Sequence, residues 1–236
     1  MAAMTSDHDA LLAAVLADPV ADLPRLIYAD FLQDRGTSVD VARAEFIRIQ
    51  VESASACGPR LQELAAHEAR LLALHGRAWL WPLRAKGEAL QNRGTHGLFR
   101  RGFVEIVWMP ATIFCWKAER LFRKAPATEL RVTRADLAEF HELLRTPETG
   151  RLHVLDLSDR RLGDDALRLL AASALWRSLK VVRLRNCGIT EAGILHLLDE
   201  APDVGRPDRL EFAFNAVGDD VRTAASARFG AGLVWA

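Results

Sequence analysis

The carboxy-terminal half of the chain repeats itself, and that repeat constrains the fold more than any other feature. The unit Leu152-x-x-Leu155-x-Leu157-x-x-Arg160-x-Leu162 returns 27 residues later as Leu179-x-x-Val182-x-Leu184-x-x-Cys187-x-Ile189. It returns 28 residues beyond that as Leu210-x-Phe212-x-x-Asn215-x-Val217, with Pro207 in the first apolar slot. A fixed period of this length marks a stack of units, none of which can bury its apolar face alone. The central apolar pair reads as a short strand that points two side chains inward and one outward. Helical stripes follow, Leu167 and Leu170 within 164–172, then Ile194, Leu195 and Leu198 within 191–200, where Thr190 suits an N-cap.

Two weaker units precede these. Thr128-x-Leu130, with the stripe Leu137, Phe140 and Leu144, stands one 27-residue period before Leu155-x-Leu157. Phe103–Trp108, with a stripe from Ile113 to Phe122, gives a further strand–helix pair. The segment 219–236 lacks a helical stripe and is expected to be a terminal cap. Toward the amino terminus the period is helical: Leu11, Leu12, Val15 and Leu16, then Leu23, Leu26, Ile27 and Phe31 up to Gly36. Further stripes follow at about 40–54 and 60–75. Residues 76–102 hold five glycines and a proline among Trp79, Trp81 and Phe99, which reads as a packed basic connector. The expected organisation is a helical module at 5–75, this connector at 76–102, and about five strand units with a cap at 103–236. The connector is also expected to bury Trp79 or Trp81 where it joins the first strand unit.

The repeating unit resembles the leucine-rich repeat pattern LxxLxLxx(N/C)xL, matched in register three times. The resemblance implies an α/β fold, a short right-handed solenoid of the ribonuclease-inhibitor-like branch, with parallel strands on the concave face and helices on the convex face. It also implies that Asn215 and Cys187 turn inward to hydrogen-bond loop backbone, a role from which Arg160 departs. Upstream, Asp22-Leu23-Pro24-Arg25-Leu26-Ile27-Tyr28-Ala29-Asp30-Phe31-Leu32, followed by Arg35-Gly36 and Arg43-Ala44-Glu45-Phe46-Ile47, resembles the bacterial repeat-companion domain. Phe31 stands where that family commonly has Trp. The likeness implies an architecture and carries over no activity or catalytic residue. Tyr28, Asp30 and Phe46 are read as tying adjacent helices together, Asp30 through Arg43 or Arg48.

Charge and chemistry narrow the function. The net charge is zero, with 31 basic and 31 acidic residues. Residues 1–76 carry 6 basic against 11 acidic, and 77–125 carry 10 against 3. The three cysteines, Cys57, Cys115 and Cys187, are far apart, and no apolar run is long enough to span a bilayer, so a cytoplasmic setting is expected. His67-Glu68 and His141-Glu142 begin an HExxH motif, but Leu71 and Arg145 occupy the second histidine position. There is no phosphate loop and no nucleophile elbow. No cofactor, metal, membrane or small-molecule substrate is expected, and the chain is read as a non-enzyme.

What remains is the outward row of the strands. The first column is read as Glu105, Glu129, Asp156, Arg183 and Glu211, and the next as Val107, Arg131, Ser158, Arg185 and Ala213. We read Glu105, Glu129, Arg131, Asp156, Ser158, Arg183, Arg185 and Glu211 as the partner-binding residues, with Arg183 and Arg185 as anchors. The function so implied is a scaffold, adaptor or regulatory subunit that binds another protein. The alternative is nucleic-acid binding by the basic 77–125 region, with Trp79, Trp81 and Phe99 as stacking residues; the zero net charge weighs against it.

Overall fold

The computed structural model describes residues 2–80, 95–200 and 206–235, with side chains from residue 7 onward. The fold is α/β. Among the described residues there are nine α-helices and one mostly parallel sheet of seven strands, ordered as in the chain from β1 to β7. Two compact units divide the chain. The first holds α1 to α4, Gly97–Ile106 and Arg120–Ala127, and the second holds Val107–Glu119 and Thr128–Ala236.

In the first unit α1 (Ala2–Ala17), α2 (Leu23–Arg35), α3 (Ser38–Ser53) and α4 (Gly58–Trp79) follow the expected stripes. Gly36 ends α2 in the left-handed conformation, and the Thr37 side chain accepts from the Asp40 amide to start α3. Leu12, Val15, Tyr28, Ala29, Leu32, Ala44 and Ile47 form the core with Phe103. The fourth helix outruns its expected end at 75. Gly76 is buried inside it and Trp79 lies against Phe46 at 4.7 Å and Phe99 at 6.5 Å. Burial of the indole outweighs the roughly 1 kcal/mol that a mid-helix glycine costs. The expected connector therefore begins as helix and ends as strand β1 (His96–Arg100); its residues 81–94, including Trp81, lie outside the described residues.

β1 turns through Arg101 (φ 47°) and Gly102 (φ 84°) into β2 (Phe103–Met109). Both residues sit in the left-handed region, as a two-residue hairpin turn needs. Only glycine fits at 102, because a Cβ there would lie 2.3 Å from Ile47 Cγ1 and 2.7 Å from Ile47 Cα. Two arginines shape this unit. Arg25 is fully enclosed; it donates to the carbonyls of Pro19, Arg100 and Arg101 and to Glu105 Oε1 at 2.6 Å. Burial pushes the Glu105 carboxyl up, and Arg25 and Arg101 oppose it. Arg43 instead lies among the rings of Trp79, Phe99, Phe46 and Phe103, at 4.9, 5.3, 5.5 and 5.5 Å. Its Nη1 is enclosed without a hydrogen-bond partner, and burial lowers its pKa to about 10.

In the second unit α5 (Ala111–Phe122) follows β2 and has its first nine residues there. The strand–helix unit then recurs: β3 (Glu129–Val132) and α6 (Leu137–Arg145), β4 (Val154–Asp156) and α7 (Gly163–Ala172), β5 (Val181–Arg183) and α8 (Glu191–Glu200), β6 (Arg209–Glu211) and α9 (Asp219–Phe229), and finally β7 (Leu233–Val234). β3 to β7 pair in parallel, with Leu130, Leu155, Val182, Leu210 and Leu233 side by side. The first four are at most 2% exposed, and full burial of each contributes about 2 kcal/mol.

Two expectations for this region are corrected. Leu130 pairs with Leu155, not Leu157, so β3 sits two residues away from the register that a uniform 27-residue period implies. The loop between β3 and β4 is correspondingly shorter, and the capping box formed by Asp136 and Glu139 fixes where α6 begins inside it. Secondly, 219–229 is a helix. Its stripe is faint in the sequence because its buried residues are Ala225 and Phe229 alone. Asp219 and Asp220 in its first turn favour the positive end of the helix.

The Arg25–Glu105 pair yields a stability prediction. Arg25→Met is expected to cost about 3–5 kcal/mol, because it removes the nearer of the two arginines that hold the buried Glu105 carboxylate and leaves it only Arg101. Adding Glu105→Leu is expected to return a large part of that loss. Urea denaturation of the two variants measures both, and a single-variant loss below about 1 kcal/mol would contradict the buried pair.

Candidate interaction surface

Asn215 sets the loops that carry the outward face. Its Oδ1 accepts from the amides of Cys187 and Ile189, both at 3.0 Å, and its Nδ2 donates to the carbonyls of Leu184 and Phe212 at 2.6 and 2.9 Å. Cys187 Sγ lies 3.1 Å from the Leu157 carbonyl, and burial pushes this thiol up to about 12, which leaves it protonated and inert. The Arg160 guanidinium reaches the carbonyls of Ser158 and Thr133 instead. Three different residue types thus satisfy loop backbone that would otherwise be buried unpaired. Asp164 adds a link between successive turns, accepting from the Thr190 amide at 2.8 Å and its hydroxyl at 2.7 Å.

With the loops fixed, the register places Arg131, Asp156, Arg183 and Glu211 on neighbouring strands. The row therefore alternates in sign. Arg183 is its hub: Nη1 lies 3.0 Å from Glu129 and 3.9 Å from Asp156, and Nε lies 3.7 Å from Glu211. Arg131 reaches Glu129 at 2.7 Å, and Arg209 reaches Glu211 at 2.8 Å. The Arg131 guanidinium also stacks on Trp108 at 4.6 Å. The ladder is largely neutralised from within, so it presents a patterned surface of low net potential.

The residues read from sequence divide as follows. Arg131, Asp156, Arg183 and Glu211 share the row. Glu129 lies on the same face but in the adjacent column, with Val154, Val181 and Arg209, and it is only 2% exposed, held by Arg131 and Arg183. Glu105 is 3% exposed and its carboxylate is taken by Arg25 and Arg101, so it is unavailable to a partner. The Ser158 hydroxyl is enclosed. Arg185 is exposed and, among the described residues, has no carboxylate within ion-pair distance; its guanidinium rests 5.7 Å from the Phe214 ring. Phe214 was missed by sequence reasoning. The signal is a column of equivalent turn residues, Asp159, Asn186 and Phe214, all with positive φ (62°, 51° and 60°).

Outside this face, Tyr28 is buried with its hydroxyl 2.9 Å from His8 Nε2, Phe46 is fully buried, and Asp30 pairs with Arg48 at 2.7 Å. Trp79 and Phe99 are 9% and 8% exposed, which withdraws two of the three stacking residues of the nucleic-acid alternative. Cys115 is half-buried, its thiol raised by desolvation, while Cys57 is exposed. No group of three or more His, Cys, Asp or Glu among the described residues is placed to hold a metal ion, and no described helix is long and apolar enough to cross a membrane. No family model matches the chain, and no curated protein matches it.

The two anchors read from sequence now differ in kind. Arg183→Met is expected to cost about 2 kcal/mol, because it leaves the buried Glu129 with one fewer partner. Arg185→Met is expected to change stability by less than about 0.5 kcal/mol, as an exposed substitution does. Equal effects in chemical denaturation would contradict the ladder.

Proposed function

We propose that the second unit is a leucine-rich-repeat solenoid of the ribonuclease-inhibitor-like kind, preceded by a repeat-companion helical module. In this reading the chain is a non-catalytic scaffold, adaptor or regulatory subunit in the cytoplasm that binds another protein. The docking surface is the concave strand face. The observation that carries the reading is the row Arg131, Asp156, Arg183 and Glu211, one residue per strand in register, alternating in charge. Fixed charges of alternating sign discriminate between partners through like-charge penalties more than they add raw affinity. Rigid strands hold them at a spacing of about 4.8 Å, which suits a complementary protein surface.

The test neutralises the acidic half of the row without changing its shape. Partners recovered on the immobilised chain from extract of its source organism are identified and titrated against the parent and the Asp156→Asn, Glu211→Gln variant. Arg183 keeps Glu129 in that variant, so folding is expected to survive. Affinity is expected to fall about tenfold or more, the effect of losing contacts at the centre of an interface. Unchanged affinity for every recovered partner would overturn the choice of surface.

A further inference from the structure

We infer that Arg185 and Phe214 form an anchor for an acidic segment of the protein partner, an acidic side chain meeting Arg185 while a neighbouring apolar side chain covers Phe214; this rests on the protein-docking reading above. Phe214 is 73% exposed and lies in the left-handed conformation. The equivalent turns use Asp159 and Asn186, residue types that tolerate this region, whereas a bulky aromatic there is a true outlier. Strain of this kind persists where the surrounding structure imposes it and gathers at ligand clamps. Here the turn is imposed by Asn215, which donates to the Phe212 carbonyl within it at 2.9 Å and to the Leu184 carbonyl of the preceding turn at 2.6 Å. The ring contributes little to the core, so neither burial nor local preference accounts for a phenylalanine at this position.

Arg185 completes the anchor. The other cations of the strand row, Arg131, Arg183 and Arg209, each have a carboxylate of their own. Among the described residues Arg185 has no carboxylate within ion-pair distance, and its guanidinium rests by the Phe214 ring. A guanidinium near an aromatic ring keeps its N–H donors, whose fork matches a carboxylate, free for a partner. Exposed Arg and aromatic side chains are also the residue types that dominate interface energetics. A peptide that brings a single carboxylate to Arg185 suits this face better than a nucleic acid, whose run of phosphates would also meet the carboxylates Asp156 and Glu211 of the same face.

The experiment selects binders from a phage-displayed random dodecapeptide library on the full chain and titrates the recovered peptides against variants. The inference expects recovered peptides with Asp or Glu beside an apolar residue. Their affinity should fall about tenfold in Arg185→Glu and in Phe214→Asn. Phe214→Asn should melt no lower than the parent, since Asn suits the turn, so lost binding there cannot be ascribed to unfolding. Peptides without acidic residues, or acidic peptides indifferent to both variants, overturn the inference. If those peptides respond instead to Asp156→Asn with Glu211→Gln, the docking face stands and only the anchor is wrong. If they respond to neither set, both readings fall. Preferential binding of a labelled dT12 oligonucleotide, sensitive to Arg185→Glu, would also overturn it.

Discussion

In the second unit, everything outward depends on how the inward side chains stack. Leu130, Leu155, Val182 and Leu210 sit side by side on parallel strands, and a strand alternates its faces with a period of two. Once those four are aligned, Arg131, Asp156, Arg183 and Glu211 must align on the opposite face. A slip of two residues in one strand keeps its apolar set buried but exchanges its outward partner. That is the difference between Glu129 and Arg131 opposite Asp156, and so between a neighbour of like charge and one of opposite charge. The charge ladder and the apolar ladder support the same register, the agreement between levels that marks a sequence with one preferred fold.

Polar groups inside the fold act in the same sense. Asn215 uses both ends of its amide to tie one turn to the next, and Arg25 binds three carbonyls and a carboxylate. Buried ion pairs add little net stability, because desolvation offsets their attraction, yet removing one partner is costly. They specify an arrangement more than they strengthen it. Arg43, enclosed by four aromatic rings, shows a different solution to the same desolvation cost, with ring faces in place of a carboxylate.

The parts legible in the sequence are those written as apolar periodicity. The strands at Leu155, Val182 and Leu210 and the helices α2, α3, α7 and α8 stand where their stripes place them. The misplaced register of β3 arose where a loop is shorter than the period, which spacing alone does not reveal. α9 hid because small buried residues leave a faint stripe, and α4 outran a glycine because Trp79 is buried at its end. For the site, the alternation of faces was legible, but burial of Glu105 and Glu129 was not. Both depend on arginines remote in sequence, Arg25 and Arg183. Phe214 drew no notice because its significance is conformational: an ordinary residue in a turn that ordinary side chains avoid.

These observations make a surface that is patterned in charge and largely self-neutralised, with Arg185, among the described residues, left without a carboxylate beside a strained aromatic turn. On the docking reading proposed above, such a face would choose among partners more than it holds any one of them by net charge. Its register is open to direct measurement. Inter-strand NOE contacts in the deuterated full chain should join Leu130 with Leu155, Leu155 with Val182, and Val182 with Leu210. Contacts that place Leu157 beside Leu130, or that separate Val182 from its two neighbours, would contradict the ladder on which the account rests.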